Sequence, residues 1–214
     1  MPGFNYILVA TAGYLLGSIP TGYLVARAKG VDIRTVGSGN IGAANTIRAL
    51  GKPAGVLVLV VDSLKGYAAC TWLCDLLLRS ISVPAADKEP YAVLAGIAVV
   101  LGHNYTCWLR FKGGKGIATS AGVFFALAPV AAGVALGTWI IVFALSRYVS
   151  VASIAAAVAL PAAVWLMPNS LTLRIVTTGL SLLAIARHRS NIERLFNGTE
   201  RRLGRKSTAQ EGAK

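Results

Sequence analysis

The sequence predicts an all-α integral membrane protein with seven transmembrane helices. Hydrophobic residues make up 55% of the 214 residues and charged residues only 14%, and the mean hydropathy is +0.64. Long apolar runs alternate with short polar segments that hold most of the basic residues. A chain of this composition is too apolar for an ordinary soluble domain, and its runs are long enough to cross a hydrocarbon layer of ~30 Å. We expect one membrane-embedded domain over residues 1–214.

The apolar runs give the boundaries of the predicted spans. The N-terminus has no basic region before its first run, which favours a retained span over a cleaved signal peptide. Pro53 opens the second run, where the first turn of a helix accepts proline well. The predicted spans are 6–26, 53–78, 91–105, 117–128, 130–146, 150–167 and 171–186, followed by a basic tail at 187–214.

The number of spans depends on the apolar stretch 117–146. This stretch is too long for one straight crossing and short for two, and the sequence leaves two full crossings and a re-entrant pair around Pro129 both open. Seven spans place most Lys and Arg residues on one side of the membrane, whereas six put the loop after the first span and the basic tail on opposite sides. The positive-inside rule therefore favours seven, with the N-terminus outside and the C-terminus in the cytoplasm.

The net charge of +13 fits membrane orientation better than nucleic-acid binding. The charges lie between apolar runs and form no basic helix or aromatic-interleaved patch, so we expect no nucleic-acid partner. Cys70, Cys74 and Cys107 have no metal-ligand spacing, and an odd number of cysteines argues against a disulfide framework. We predict neither a metal nor a cofactor.

A phosphate-binding loop is predicted at residues 111–119. Its glycines let consecutive backbone N–H groups turn toward one ligand, its lysines supply charge, and the helix that follows points its positive end at the same place. A nucleotide P-loop fits poorly because Lys115 is followed by Gly116 rather than by Ser or Thr. A basic loop that binds lipid headgroups is the structural alternative. The predicted substrate-binding and catalytic residues of this loop are Lys112, Gly113, Gly114, Lys115 and Thr119.

Two further polar clusters are expected beside this loop on the cytoplasmic face. The first, at 32–48, combines small residues, a hydroxyl, amides and an arginine that can bind phosphate bidentately; a capped interfacial turn is the alternative. The second follows the last span at 187–200, where residues three apart share a helical face. The predicted site residues are Ser38, Gly39, Asn40, Gly42, Asn45 and Arg48 in the first cluster, His188, Asn191 and Arg194 in the second, and Ser150 and Ser153 as additional donors.

Two ionisable residues, Asp62 and Lys65, lie inside the second predicted span. An ionisable residue within a membrane span is a functional candidate. Residues three apart on a helix are also neighbours, so the two charges can simply neutralise each other. We favour this structural interpretation.

Three motifs in order carry a resemblance to a known family. They are Ser-Gly-Asn-x-Gly-Ala-x-Asn at 38–45, Gly-His-x7-Phe-Lys-Gly-Gly-Lys-Gly-x-Ala-Thr at 102–119, and Arg-His-x-x-Asn-Ile-x-Arg-Leu-x-x-Gly-x-Glu at 187–200. Together they resemble the bacterial acyl-phosphate:glycerol-3-phosphate acyltransferase family, PlsY, over essentially the whole chain. One position departs, Ala44, where the family pattern leads us to expect threonine.

The resemblance implies a multi-pass enzyme of the bacterial cytoplasmic (inner) membrane whose active site faces the cytoplasm. Its partners would be glycerol 3-phosphate, acyl phosphate and membrane lipids; acyl-CoA and acyl carrier protein are not donors in this family. The products would be lysophosphatidic acid and inorganic phosphate. We assign catalytic roles to Ser38, Lys115, His188 and Asn191, and the general base is either His188 or the dianion of glycerol 3-phosphate. The sequence gives no oligomeric state.

Two rival interpretations fit the sequence less well. A transporter or binder of an organic phosphate would use the same loop, but we find no internal repeat of the kind that many transporters contain. An acyl-CoA-dependent glycerolipid acyltransferase would need an H-x4-D motif. Trp108 stands five positions after His103 and Glu193 five positions after His188, so the motif is absent at one histidine and altered at the other.

Overall fold

The computed structural model describes residues 2–203, and over that range every regular element is helical. The predicted all-α class is therefore confirmed. The α-helices are α1 (Pro2–Ser18), α2 (Thr21–Arg27), α3 (Ala43–Leu50), α4 (Lys52–Ala68), α5 (Cys74–Ser80), α6 (Lys88–Asn104), α7 (Ile117–Leu127), α8 (Pro129–Ser146), α9 (Val149–Leu166), α10 (Leu171–Arg187) and α11 (Arg189–Phe196). The part of the predicted basic tail beyond residue 203 lies outside the described residues.

Within residues 2–203, five helical segments are long and apolar enough to cross a membrane: Gly3–Arg27, Lys52–Ser80, Lys88–Leu109, Pro129–Ser146 and Val149–Leu166. The other two predicted spans correspond to α7, with 11 residues, and α10, with 17. At 1.5 Å per residue, α7 is about 16 Å long, roughly half the hydrocarbon thickness. The count of seven spans stays a prediction.

Two of the predicted spans depart from a regular α-helix within their length. The first divides between α1 and α2 at Pro20, which lacks an N–H group and disfavours helical geometry at the preceding residue. The second, α4 to α5, is continuous but contains a wider π-helical turn at Ala69–Leu73. The stretch 117–146 divides before Pro129, close to the predicted position.

The crossing of α4 and α7 positions the N-terminal end of α7, where the predicted phosphate-binding loop ends. A Cβ atom on Gly122 would lie 1.8 Å from the carbonyl oxygen of Ser63, and one on Gly66 would lie 2.1 Å from that of Thr119. Only glycine permits the two backbones to approach this closely. Substitutions at these two glycines would force the helices apart and displace the loop.

Candidate active site

The structure brings the three polar clusters together around one cavity of about 210 Å³. The walls come from the loop before α3, α3 itself, the loop between α6 and α7, the start of α9, and the segment from α10 to Glu200. The predicted site residues that line this cavity are Ser38, Asn40, Gly42, Asn45, Arg48, Lys115, Ser150, Ser153, His188 and Asn191. Sequence segments far apart in the chain therefore converge, as expected.

Asn45 holds the first loop in shape. Its Oδ1 accepts a hydrogen bond from the backbone N–H of Ser38 at 2.9 Å, and its Nδ2 donates to the carbonyl oxygens of Val36 and Asn40, both at 2.9 Å. A Cβ on Gly37 would lie 2.2 Å from Asn45 Oδ1, and the φ of Gly37 is +63°, so glycine is required there. The amide of Asn45 is fully used by the protein, which makes it a positioning residue.

Ser38 and Arg48 are the groups of this cluster that remain directed at a ligand. No described residue between 2 and 203 forms a hydrogen bond with the Ser38 hydroxyl group. Arg48 donates from one terminal nitrogen to the carbonyl oxygen of Arg201 at 3.1 Å, and its Nε is buried with no partner among the described residues. A buried donor without a partner is costly, so Arg48 fits an anionic ligand in the cavity, and the exposed hydroxyl group of Ser38 is available to the same ligand.

Lys115 and Glu200 are connected through Asn191. Lys115 Nζ donates to Asn191 Oδ1, and Asn191 Nδ2 donates to Glu200 Oε1 at 2.6 Å. Burial lowers the pKa of Lys115 to about 8, although Glu200 acts in the opposite direction. Lys115 is therefore largely cationic at neutral pH and titrates in the mildly alkaline range.

Glu200 is a site residue that the sequence analysis quoted within a motif but gave no role. Its Oε1 also accepts from the hydroxyl group of Ser150 at 2.8 Å, and its Oε2 accepts from Nε of Arg194 at 2.7 Å. Burial would raise the pKa of Glu200, but the hydrogen bonds from Asn191, Ser150 and Arg194 prevail and lower it below its ordinary value. The signal in the sequence was an isolated acid among basic residues at the end of the third motif.

His188 is buried and has a defined tautomer. Its Nδ1 lies 2.8 Å from the carbonyl oxygen of Ala184, which can only accept, so Nδ1 carries the proton and Nε2 keeps its lone pair. Burial lowers the pKa of His188 to about 4, and the positive charge of Lys115 acts in the same direction. The ring is neutral at physiological pH and offers an acceptor rather than a strong base.

Six predicted residues do not line the cavity: Gly39, Lys112, Gly113, Gly114, Thr119 and Arg194. The backbone N–H groups of Gly113 and Gly114 do not turn toward a ligand as expected, because they donate to the carbonyl oxygens of Asn104 at 3.1 Å and His103 at 3.0 Å. The loop is thus bonded to the C-terminal end of α6. The part of the loop that lines the cavity is Lys115 together with the residues that begin α7.

The other four residues have different surroundings. Arg194 acts through Glu200, as described above, and Gly39 occupies a turn with a φ of +68°. Thr119 is fully buried where α7 crosses α4. Lys112 is exposed and lines a separate groove with Arg34 and Arg110.

A second, apolar groove of about 350 Å³ adjoins the polar cavity. It runs between α7, α8, α9 and α10, and five residues line both spaces: Leu59, Ile117, Ala118, Trp139 and Ser153. Trp139 Nε1 donates to the hydroxyl group of Ser153 at 3.2 Å, so the polar ends of these two side chains are paired at the junction. The combined space suits a molecule with an anionic head and a hydrocarbon tail.

Comparison with known proteins agrees with this geometry. Residues 7–198 match a protein-family profile described as Glycerol-3-phosphate acyltransferase. Curated relatives of that name include one from Synechococcus sp. (strain JA-3-3Ab), 43% identical, covering 96% of this chain and 98% of the relative. Another, from Desulforudis audaxviator (strain MP104C), is 47% identical and covers 95% of this chain and 98% of the relative.

Two solved structures are similar to the whole described fold. One is a crystal structure of PlsY (YgiH), an integral membrane glycerol 3-phosphate acyltransferase, in its glycerol 3-phosphate form; the TM-score is 0.82, with 40% identity over 93% of this chain and 96% of that one. The other is its lysophosphatidic acid form, with a TM-score of 0.80 and 39% identity over 93% and 95% of the two chains.

Proposed function

The chain belongs to the glycerol-3-phosphate acyltransferase family and is a glycerol-3-phosphate acyltransferase, and we propose that its acyl donor is an acyl phosphate. The acyl group passes to the 1-hydroxyl group of glycerol 3-phosphate, giving lysophosphatidic acid and inorganic phosphate. The protein is an integral membrane protein, in agreement with the five candidate spans in the described part of the chain and with its structural neighbours. The observation that carries the proposal is the junction of a cationic cavity with an apolar groove.

The two spaces match the two ends of the substrates. Both glycerol 3-phosphate and acyl phosphate carry phosphate, and the polar cavity presents Arg48 and Lys115 together with the Ser38 hydroxyl group. The fatty chain then occupies the apolar groove, where each methylene is about 0.8 kcal/mol more stable than it would be in water. In this proposal the acyl carbonyl group lies at the junction of the two spaces, next to the phosphates.

An acyl phosphate needs no further activation by a protein nucleophile. The 1-hydroxyl oxygen attacks the acyl carbonyl carbon, the bond to the phosphate oxygen then breaks, and phosphate leaves as an anion. Alignment of the reactants and stabilisation of negative charge can supply most of the rate. In this proposal Ser38 donates to the developing oxyanion, and Lys115 and Arg48 neutralise the phosphates.

The proton of the attacking hydroxyl group goes to a charged oxygen of the phosphate group of glycerol 3-phosphate itself. A phosphate monoester has a second pKa near ~6 and is mostly dianionic at neutral pH. His188, with a pKa lowered to about 4 by burial, is a much weaker base, and its Nε2 instead accepts a hydrogen bond that orients the substrate.

For the membrane arrangement we propose the one predicted from the sequence: seven spans in the bacterial inner membrane, with the N-terminus outside and the active site at the cytoplasmic face. The positive-inside rule supports it, since the loops that build the cavity carry most of the basic residues. Single cysteines introduced at positions 88 and 52 test this arrangement: a reagent added outside intact cells should label position 88 but not position 52. Labelling at position 52 would contradict the orientation.

The donor is tested with radiolabelled glycerol 3-phosphate and purified protein. Acyl phosphate, acyl-CoA and acyl carrier protein carrying the same fatty acid are compared as donors. We expect lysophosphatidic acid only with acyl phosphate, because the cavity holds phosphate-binding groups beside the acyl groove. Equal turnover with acyl-CoA would refute the proposed donor.

A transport role is not favoured, since none of the geometry above requires it and the related proteins are named as acyltransferases.

Replacement of His188 with glutamine is expected to raise KM for glycerol 3-phosphate and to leave the shape of the pH profile unchanged. The reason is that a buried histidine with a pKa near 4 does not titrate between pH 5 and 8. The acid limb of kcat/KM should instead follow the phosphate of the substrate. The measurement is kcat and KM for both proteins between pH 5 and 8.

A phosphonate analogue of glycerol 3-phosphate provides the control. Its second pKa is higher, so the acid limb should move upward with the wild-type enzyme and with the His188→Gln variant alike. Identical profiles for analogue and substrate, together with a flattened profile in the variant, would show that His188 is the base.

A further inference from the structure

A buried ion pair within α4, Asp62 and Lys65, contacts His103 of α6 at the wall of the cavity. The ammonium group of Lys65 is 2.8 Å from Asp62 Oδ1, 2.9 Å from His103 Nδ1 and 3.1 Å from the carbonyl oxygen of Ile19. Relative exposures are 2% for Asp62, 5% for Lys65 and 5% for His103. The salt bridge confirms that Asp62 and Lys65 neutralise each other, as the sequence analysis favoured. Asp62 and His103, however, also line the polar cavity.

The three contacts of Lys65 determine which nitrogen of His103 carries the proton. A lysine ammonium group has three N–H donors and no acceptor, and here each donor has one acceptor. Nδ1 of His103 must therefore accept, so it is unprotonated. Asp62 Oδ1 lies 3.7 Å from His103 Nδ1, which is too long for a hydrogen bond between them. A neutral ring held in this way carries its one proton on Nε2.

The Nε2 atom lies against the loop that carries Lys115. A Cβ on Gly114 would be 2.1 Å from His103 Nε2, so the ring packs directly on the backbone at that glycine. The N–H groups of Gly113 and Gly114 are already used by the carbonyl oxygens of α6. The backbone carbonyl oxygen of His103 thus accepts a hydrogen bond from the N–H group of Gly114, and the side chain of His103 offers a donor in the same region.

We propose that His103 binds substrate, donating one hydrogen bond from Nε2–H to a phosphate oxygen held beside Lys115, and that Lys65 is the positioning residue that fixes this tautomer. The ring stays neutral and transfers no proton. Asp62, which also accepts from the hydroxyl group of Thr21 at 3.0 Å, balances the charge of Lys65. The phosphate belongs to one of the two substrates, so this role rests on the proposed function.

Two substitutions separate a donor role from a packing role. In His103→Asn, the side-chain carbonyl can still accept from Lys65 at the place of Nδ1, but no donor reaches the place of Nε2. In His103→Gln, the amide N–H reaches the place of Nε2. We expect kcat/KM to fall roughly 10- to 100-fold in His103→Asn, as for loss of one hydrogen bond to a charged group. We expect His103→Gln to recover most of that loss.

The same order is expected for the affinity of glycerol 3-phosphate measured by calorimetry. Thermal unfolding and gel filtration in detergent establish that both variants are folded. Wild-type kcat/KM in His103→Asn, or a His103→Gln variant no more active than His103→Asn, would overturn the proposal. If the wild-type enzyme itself forms no lysophosphatidic acid with any donor, the proposed function fails rather than this assignment.

A second measurement needs neither turnover nor a variant that folds. The chain contains two histidines, so ¹⁵N labelling of histidine gives only two imidazole spin systems. His103 should show a protonated Nε2 and an unprotonated Nδ1, and His188 the opposite pattern. Added inorganic phosphate should shift the Nε2–H resonance of His103. A protonated Nδ1 on His103 would overturn the proposal.

Discussion

Replacement of Lys115 with methionine is expected to lower kcat/KM by at least roughly 10²-fold while the protein remains folded. A charge-assisted hydrogen bond contributes about 1.5–3 kcal/mol, and loss of one group that stabilises an oxyanion costs ~10²–10³ in rate. Methionine keeps the length of the side chain and removes only its charge and donors. The measurement is the initial rate with both substrates varied.

Lys112 provides the informative comparison because it lies three residues earlier in the same loop. The sequence assigns both lysines to substrate binding, whereas the structure places Lys112 in a separate groove. The kcat/KM of Lys112→Met should therefore be at least about 10-fold higher than that of Lys115→Met. Lys52→Met, at the exposed start of α4, should retain wild-type kinetics. Equal losses for Lys112 and Lys115 would contradict the assignment of the cavity.

The pH dependence gives an independent check on Lys115. Because burial lowers its pKa to about 8, its charge is present below pH 8 and is lost as the pH rises through that value. Wild-type kcat/KM should fall above pH 8, and this alkaline limb should be missing from the residual activity of Lys115→Met. The same limb in both proteins would assign the ionisation to another group.

Replacement of Glu200 with alanine is expected to cause the second large loss, about 10²-fold in kcat. The carboxylate accepts hydrogen bonds from Ser150, Asn191 and Arg194, and the first two of these line the cavity. Without it, three donors lose their acceptor, and Asn191 no longer has a fixed position from which to hold Lys115. Buried donors without partners also lower stability. Both kcat and the unfolding temperature should fall.

Glu200→Gln is the matched variant, since it keeps the volume and one acceptor oxygen. We expect its activity to lie between those of the wild type and Glu200→Ala.

The lowered pKa of Glu200 also predicts how the stability of the protein changes with pH. A carboxyl group of lowered pKa contributes stability above its unfolded pKa of about 4.3, and that contribution disappears as the pH falls through the lower folded value. Unchanged acid stability in Glu200→Gln would contradict this role.

The fold class and most helix boundaries could be predicted from the sequence because they depend on local composition. The apolar runs marked the helices, and Pro129 marked the break between α7 and α8 close to where it occurs. The break in the first span and the π-helical turn in the second were not predicted. Pro20 lies within a continuous apolar run, and the π-helical turn at Ala69–Leu73 has no signature in residue type.

The candidate site was predicted in outline but not in its contacts. Ser38, Arg48, Lys115 and His188, from the three clusters, line one cavity, whereas Lys112, Thr119 and Arg194 do not. The roles of Asn45, Arg194 and Gly113 could not be predicted, because each forms its hydrogen bonds with another part of the protein rather than facing a ligand. His103 and Glu200 were quoted within motifs but given no role in the site, because their neighbours in the sequence do not show which residues they contact.

By itself, the sequence determined that this chain is a helical membrane protein, which segments are polar, and which side chains are available to bind phosphate. These properties depend on residue types and their spacing along the chain. Only the tertiary structure decided which polar groups are already paired. Lys115 and Asn191 are 76 positions apart and Ser150 and Glu200 are 50, yet they contact each other because packing of the helices brings them together. Packing also decided that the amide of Asn45 is used by backbone groups, whereas Nε of Arg48 has no partner among the described residues, and residue types alone do not reveal this difference.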